Sequence, residues 1–553
     1  MRKLPDAQQT TTITTVSNLD LLQSLLTSIP TTKIFKGKWS LISTKLTLLK
    51  THLSDLSEYP ANPLSRELLN SLSQTLFVSL SLSATCQNDA VPHKLKTQND
   101  IDSVSTKLDS HISDCDVLIK SGVLQDQNAV VSQSKRESVR VESRNLITRL
   151  QIGTTESRNS AMDSLLGLLQ EDDKNVLIAV AQGVVPVLVR LLDSSSSPEI
   201  KEKTVTAIAR VSKVDSSKHV LVAEGLLLLH DLLRVIESGS GFAKEKACIA
   251  LQALSHSKEN ARAIGSRGGI SSLLEICQAG TPSSQAAAAG VLRNLAAFDE
   301  ITENFVEENA IPILLGVSNS GTALAQENAL GCLCNLVTGD ENLKVLVARE
   351  GGIECLKNFW DSAPVVRSLE VAVELLRSLA SCHPIAEVLV LEGFLSKIVA
   401  VLNCGVLGVR IAAAKAVYVM GFNAKARKEL GECGCIPPLV KMLDGKAVEE
   451  REAAAKALSG IMVYAGNKRI FRKEERGTVS VVQLLDPLKQ SLDKKYPVSI
   501  LVSLVQSKKC RKQMVASGAC LYLPKLVQMD VEGAKKLLES LGRGKLWGVF
   551  ARP

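Results

Sequence analysis

A chain of 553 residues is too long for a single hydrophobic core, which leaves several units or a repeat array. Hydrophobic residues make up 45% and aromatics only 3%, a set rich in Leu, Val, Ile and Ala that suits packed helices better than sheets. The net charge is a modest +8, and no uninterrupted run of 18 apolar residues occurs, so no membrane span is expected.

The opening, MRKLPDAQQTTTITT, has no apolar segment of secretory type, and Arg2 stands where myristoylation needs Gly. Residues 1–17 are expected to be disordered, and residues 18–122 to form four amphipathic helices. In the second, Phe35, Trp39, Ile42, Leu46, Leu49, Leu53 and Leu56 alternate at steps of four and three, giving one apolar stripe with Trp39 as core filler. Pro30 and Tyr59-Pro60 bound it. Pro63 opens a third helix with Leu68, Leu72, Leu76 and Leu80, and a fourth aligns Ile101, Val104, Leu108, Cys115 and Leu118. Four such stripes bury one another best as a bundle. Residues 123–138, polar over QDQNAVVSQSKRES, read as a linker.

From 139 to 553 one pattern recurs. Gly183, Gly225, Gly268, Asn309, Gly351, Gly393, Gly434, Gly477 and Gly518 each open a similar segment, as in GVVPVLVRLLD, NAIPILLGVSN and GCIPPLVKMLD, at steps of 41 to 43 residues. Nine units hold this register after a degenerate opening unit over 141–181. Each unit reads as a short helix, a bend, a second helix, a polar loop and a long third helix. Gly suits a left-handed bend, and Asn is the usual substitute. Pro186, Pro312 and Pro437 fall in the first turn of the next helix, where a missing N–H costs little. Third helices such as QAAAAGVLRNLAA are rich in small residues, which lets layers stack closely.

These residues resemble the armadillo family, whose repeats share the period, the Gly bend and this helix pattern. The resemblance implies an all-α fold: a helical bundle followed by a right-handed armadillo-repeat α-solenoid. GKWS (37–40), NPLSRELL (62–69) and KLKTQNDIDSV (94–104) resemble the N-terminal domain that precedes the U-box in plant U-box ubiquitin ligases. The nearest group is the plant armadillo proteins that carry this domain without a U-box. A U-box needs about 70 residues, and fewer than twenty separate residue 122 from the first solenoid helix. Ligase activity therefore does not carry over.

No catalytic constellation appears. The seven histidines stand in different units, and the Cys332/Cys334 and Cys433/Cys435 pairs lack zinc spacing. Thirteen scattered cysteines read as buried reduced thiols, which implies a reducing compartment and a cytoplasmic or nuclear address. Gly239-Ser240-Gly241 and Gly542-Arg543-Gly544-Lys545 follow no strand and are loop or helix-end glycines rather than phosphate loops. No cofactor is expected.

In armadillo proteins the third helices line a concave groove, and an Asn near their ends bonds the backbone of an extended peptide. The resemblance places Arg210, Asn294, Asn335 and Ser378 there, with Asn kept in only two adjacent units. Nuclear-import adaptors carry Trp four residues before each Asn. Gly290 and Gly331 stand in those places here, so an import-adaptor role does not follow. The alternative is that the Asn pair bonds to neighbouring helix ends. Residues 465–553 hold 18 Lys/Arg and 7 Asp/Glu. Lys468, Arg469, Arg472, Lys473, Lys508, Lys509, Arg511 and Lys512 cluster in short first helices. They read either as a solubilising cap on the last repeats or as a basic end for acidic or phosphorylated segments or an anionic membrane surface. Few aromatics accompany them, which argues against nucleic acid. The expected function is a non-enzymatic scaffold for protein partners, with signalling and kinases implied by the U-box relatives. The alternative is an accessory or substrate-recognition subunit linked to ubiquitin ligation.

Overall fold

A computed structural model describes residues 6–57, 59, 63–88, 94–121, 123, 124, 135–193, 196–488 and 492–542, with side chains from residue 17 onward. Among these residues there are 33 α-helices and no strand, so the fold is all-α. The helices fall into two compact units, residues 1–254 and 255–553.

The first unit opens on α1 (Asp6–Ser28), which takes in residues 6–17 of the segment expected to be disordered. No Gly or Pro interrupts the run from Asp6 to Ser28, so nothing local stops the helix. With α2 (Lys36–Ser57), α3 (Pro63–Thr85) and α4 (Lys94–Lys120) it forms a four-helix bundle, α1 packing on α3 and α2 on α4. The α2 stripe from Trp39 to Leu56 is buried together with Leu22, Leu72, Leu76, Ile101, Leu108 and Leu118 in one core. Phe35 departs from the stripe: it precedes α2 at φ 56° and packs only on the edge of the core. Asn18 Nδ2 donates to the Leu69 carbonyl (2.8 Å), and Thr75 Oγ1 lies 3.0 Å from His111 Nε2. Burial, and then the nearby Lys107 ammonium, hold the His111 pKa below its usual value.

Most of the expected linker at 123–138 lies outside the described residues; Val123 and Leu124 are buried with the bundle. Next, α5 (Lys135–Ile152) packs on α4, and Ile152 lies against the bundle core. The unit continues with α6 (Thr155–Glu171), α7 (Asp173–Ala181), α8 (Val184–Leu191), α9 (Pro198–Ser212), α10 (Lys218–Ala223), α11 (Gly225–Ser238) and α12 (Gly241–Leu254). Here α6, α9 and α12 lie side by side.

The second unit repeats one three-helix motif. Its helices are α13 (Lys258–Ser266), α14 (Gly269–Ala279) and α15 (Pro282–Leu295), then α16 (Thr302–Glu307), α17 (Ala310–Ser320) and α18 (Ala323–Val337). After these come α19 (Glu341–Arg349), α20 (Gly352–Ser362) and α21 (Leu369–Ala380), then α22 (His383–Leu391), α23 (Phe394–Leu402) and α24 (Leu407–Met420). The last three motifs are α25 (Ala424–Glu432), α26 (Ile436–Leu443) and α27 (Val448–Ile461); α28 (Ala465–Phe471), α29 (Gly477–Gln483) and α30 (Lys495–Leu504); and α31 (Lys508–Ala516), α32 (Ala519–Gln528) and α33 (Ala534–Gly542). Successive third helices pack directly on one another. Ala412, Ala413, Ala414 and Ala416 on α24 and Ala453, Ala454, Ala455 and Ala457 on α27 are buried, and their small side chains permit that approach.

The bends are left-handed, as their residues predict. Gly183, Gly225, Gly268, Gly351, Gly393, Gly434 and Gly518 hold φ between 62° and 94°, and Asn309 does the same at 50°. Gly477 differs: it is the first residue of α29, outside the left-handed region. It is small for another reason, since a Cβ there would stand 2.9 Å from Phe471 Cζ. Helix ends are closed by side chains. Thr154, Ser197, Thr281 and Thr322 cap the N-termini of α6, α9, α15 and α18. Asn175, Arg427, Asn467 and Arg511 reach from first helices to carbonyls at the end of the preceding long helix.

Candidate functional site

The third helices carry the positions singled out as groove-lining, and their side chains turn back onto the solenoid. Arg210 on α9 donates from Nε to the Leu169 carbonyl (2.9 Å) and from Nη2 to Asp173 Oδ1 (2.6 Å), tying α9 to the junction of α6 and α7. Asn294, in the last turn of α15, donates to Ser255 Oγ (2.9 Å) and lies 3.4 Å from His256 Nε2. Asn335 on α18 donates to the Arg293 carbonyl (2.9 Å). Ser378 is buried in α21, its Oγ 3.9 Å from Cys334 Sγ. All four thus contact the preceding repeat, which is how Asn near a helix end is commonly used. The structure brings Asn294, Asn335 and Ser378 onto consecutive third helices of the second unit; Arg210 stands in the first.

Gly331 lies beneath Arg293, whose guanidinium fills the space a side chain would take. A cation therefore covers this part of the third-helix face. Further along, Arg377 Nε donates to Glu374 Oε2 (2.6 Å), and Glu327 accepts from Ser368 Oγ (3.0 Å).

Sequence reasoning missed a cluster on the next three third helices. Tyr418 of α24 packs edge-to-face on Phe422 (ring centroids 5.0 Å apart) and on Tyr496 of α30 (6.4 Å). Lys456 of the intervening α27 places its ammonium 4.8 Å from the Tyr418 ring centre and 5.7 Å from that of Tyr496. Gly460, one turn on from Lys456, gives the ring close room: a Cβ there would stand 3.3 Å from Tyr418 Cδ2. Phe422 is 67% exposed, although it is large and apolar. The signal that could have found the cluster is scarcity, since the chain holds only 5 tyrosines and two of them meet here.

The basic residues of the last repeats are spread over two first helices and the turn after one of them. Lys468 and Arg469 are on α28 with Arg472 and Lys473 just beyond it, while Lys508, Lys509, Arg511 and Lys512 are on α31. Arg472 and Arg511 turn their guanidinium groups onto backbone carbonyls, of Lys468 and Val505 (3.0 Å each). The other six are exposed or half-buried.

Among the described residues no three His, Cys, Asp or Glu side chains gather as a metal site requires. The cysteines are free, and burial pushes the Cys115, Cys277 and Cys435 thiols up to about 12, away from the reactive thiolate range. Ser240 caps the start of α12, accepting from the Ala243 N–H (3.1 Å), and donates to Glu202 Oε2 (2.6 Å). Residues 543–545 of the second glycine pair lie outside the described residues.

Two family profiles match the chain: a domain of unknown function (DUF7032) over residues 16–123, and the Armadillo/beta-catenin-like repeat over residues 172–213. No curated protein matches. Among solved structures, the crystal structure of an engineered protein from a structural genomics consortium aligns with a TM-score of 0.61 at 22% identity. That alignment covers 72% of this chain and 99% of the other. A designed armadillo repeat protein aligns with a TM-score of 0.38 at 19% identity, over 42% of this chain and 98% of its own, too loosely to argue from. The fold is all-α, a four-helix bundle and stacked helical repeats, one of which matches the Armadillo/beta-catenin-like repeat.

Proposed function

We propose that the chain is a non-enzymatic protein-binding scaffold that holds an extended partner segment along the third helices of its second unit. The observation that supports this is the row itself. Helices α15, α18, α21, α24, α27 and α30 each pack on the next, while Thr338, Glu370, Lys415, Glu449 and Ser499 on or beside them stay exposed. A segment laid across such a row meets repeat after repeat and gathers many small contacts. The Asn294 and Asn335 amides are already bonded within the solenoid, to Ser255 Oγ and the Arg293 carbonyl. The free, mostly buried cysteines suit a reducing cytoplasm or nucleus. A role in signalling, with kinases or phosphorylated segments as partners, rests on the family resemblance alone, as does an accessory role in ubiquitin ligation.

A photo-crosslinking residue at Glu370 or Ser499 should capture other proteins in cells, and one at Val345 of α19 or Leu391 of α22 should capture far fewer. Equal capture from both sets would refute the third-helix reading. Auto-ubiquitination by the purified chain with E1 and E2 would refute the non-enzymatic one.

A further inference from the structure

We propose that Tyr418, Phe422, Lys456 and Tyr496 form a docking platform for an acidic, extended segment of a partner protein. The proposal rests on the third-helix row being the binding face, and it assigns the chemistry of one stretch of that face.

The platform is built by several residues acting together. Tyr418 lies close against Gly460 of α27, and it meets a ring on α30 that lies 78 residues later in the chain. Lys456 is held over both rings at once. In a chain with 3% aromatic residues, the exposed Phe422 and the half-buried Tyr418 and Tyr496 are a local concentration of rings. Aromatic rings in a binding face offer large contact area with few rotatable bonds.

The charge decides the occupant. Ring faces attract cations, but this chain's own Lys456 already fills that position between Tyr418 and Tyr496. A partner's Lys or Arg would meet a like charge there. A partner's carboxylate would meet the Lys456 ammonium, and apolar side chains beside it would meet Phe422 and the ring edges. Lys415 holds the same place on α24 that Lys456 holds on α27, 41 residues later, and is exposed. Lys495 lies 5.0 Å from the Tyr496 ring and pairs with Asp493 (2.9 Å), a carboxylate the Lys456 charge also reaches, so a partner's acidic group competes there with one of the chain's own. Glu449 and Glu452 stand nearer the start of α27, which confines the acid-accepting stretch to the Lys456–Gly460 half of that helix. Along the sequence, the C-terminal stretch has the same sign, with 18 Lys/Arg against 7 Asp/Glu over residues 465–553.

The test is fluorescence polarisation with the full chain and three short fluorescein-labelled peptides, in which Glu, Lys or Ser alternates with Leu. The Glu peptide should bind best, and its affinity should fall as salt rises. Lys456→Gln, and Tyr418→Ala combined with Tyr496→Ala, should each weaken it by about ten-fold, the effect of losing roughly 1.4 kcal/mol. Gly460→Ala keeps the helix, since Ala is the better helix former, yet pushes against the Tyr418 ring; it should weaken binding by several-fold at unchanged helicity. Tighter binding of the Lys peptide would overturn the charge assignment. Glu-peptide binding untouched by all three variants would overturn the platform while leaving the third-helix face standing. If none of the peptides binds and the Glu370 and Ser499 crosslinks also fail, both readings fall.

Discussion

The bend at Gly434 permits a clean test of the repeat architecture. Gly434 holds φ 88°, and a Cβ built on it meets nothing within 4 Å. A Cβ is therefore uncrowded, and the effect of Ala there is backbone conformation. Forcing an ordinary L-residue into the left-handed region costs about 1–2 kcal/mol, which is the expectation for Gly434→Ala. Val is β-branched and tolerates positive φ least, so Gly434→Val should approach about 3 kcal/mol. Gly434→Asn should cost under about 1 kcal/mol, because Asn309 already holds the equivalent bend at φ 50°. Urea unfolding would rank the three, and hydrogen exchange of α25 and α26 would show whether the loss is local, as expected where each repeat contacts only its neighbours. The bend also carries the Cys435 N–H to Leu430 carbonyl bond (3.2 Å), so its amide should lose protection in the Val variant. Asn as harmful as Val, or Val costing under about 0.5 kcal/mol, would refute the left-handed assignment. Gly477→Ala is the contrast: its penalty should come from Phe471 and shrink in the Phe471→Leu background.

Three further outcomes are expected. Arg410 binds Glu450 Oε1 from both Nε (3.0 Å) and Nη2 (2.8 Å), and Glu450 is buried, so Arg410→Ala should cost about 3 kcal/mol in urea unfolding by stranding that carboxylate. Burial pushes Asp114 up to about 6, against the Arg158 charge and the Ser110 hydroxyl; the stability this group lends is thus present below its unfolded value near 3.8 and lost as pH rises through 6. Asp114→Asn should then stabilise the fold at pH 7 and not at pH 3, by no more than about 1 kcal/mol because the group is partly screened by solvent, and thermal melts at the two pH values would show it. Limited proteolysis should cut first within the polar residues 125–134, and the pieces should still co-elute in size-exclusion chromatography because Ile152 packs on the bundle core; separate elution would refute that contact.

What was legible in the sequence follows from where each physical constraint acts. The bends were legible because a left-handed backbone admits few residues, and Asn309 could be read as one more member of the Gly series. Gly477 looked like another member, yet its constraint is space beside Phe471, which no local pattern distinguishes from a demand for positive φ. The bundle stripe was legible from its helical period and failed only at Phe35, one residue before the helix begins. On the third-helix face, position and partner separate. The period places Asn294 and Asn335 on that face, but whether an Asn amide faces a ligand or a neighbouring carbonyl depends on a residue about one repeat away, and here Ser255 and Arg293 take both donors. The tyrosine platform lay further out of reach. Tyr418 and Tyr496 belong to different repeats with a third between them, and the Tyr418 ring lies close against Gly460 of that intervening repeat. The period of a repeat therefore locates its binding face, while the composition of that face is decided across repeats, by which side chains the neighbour leaves room for.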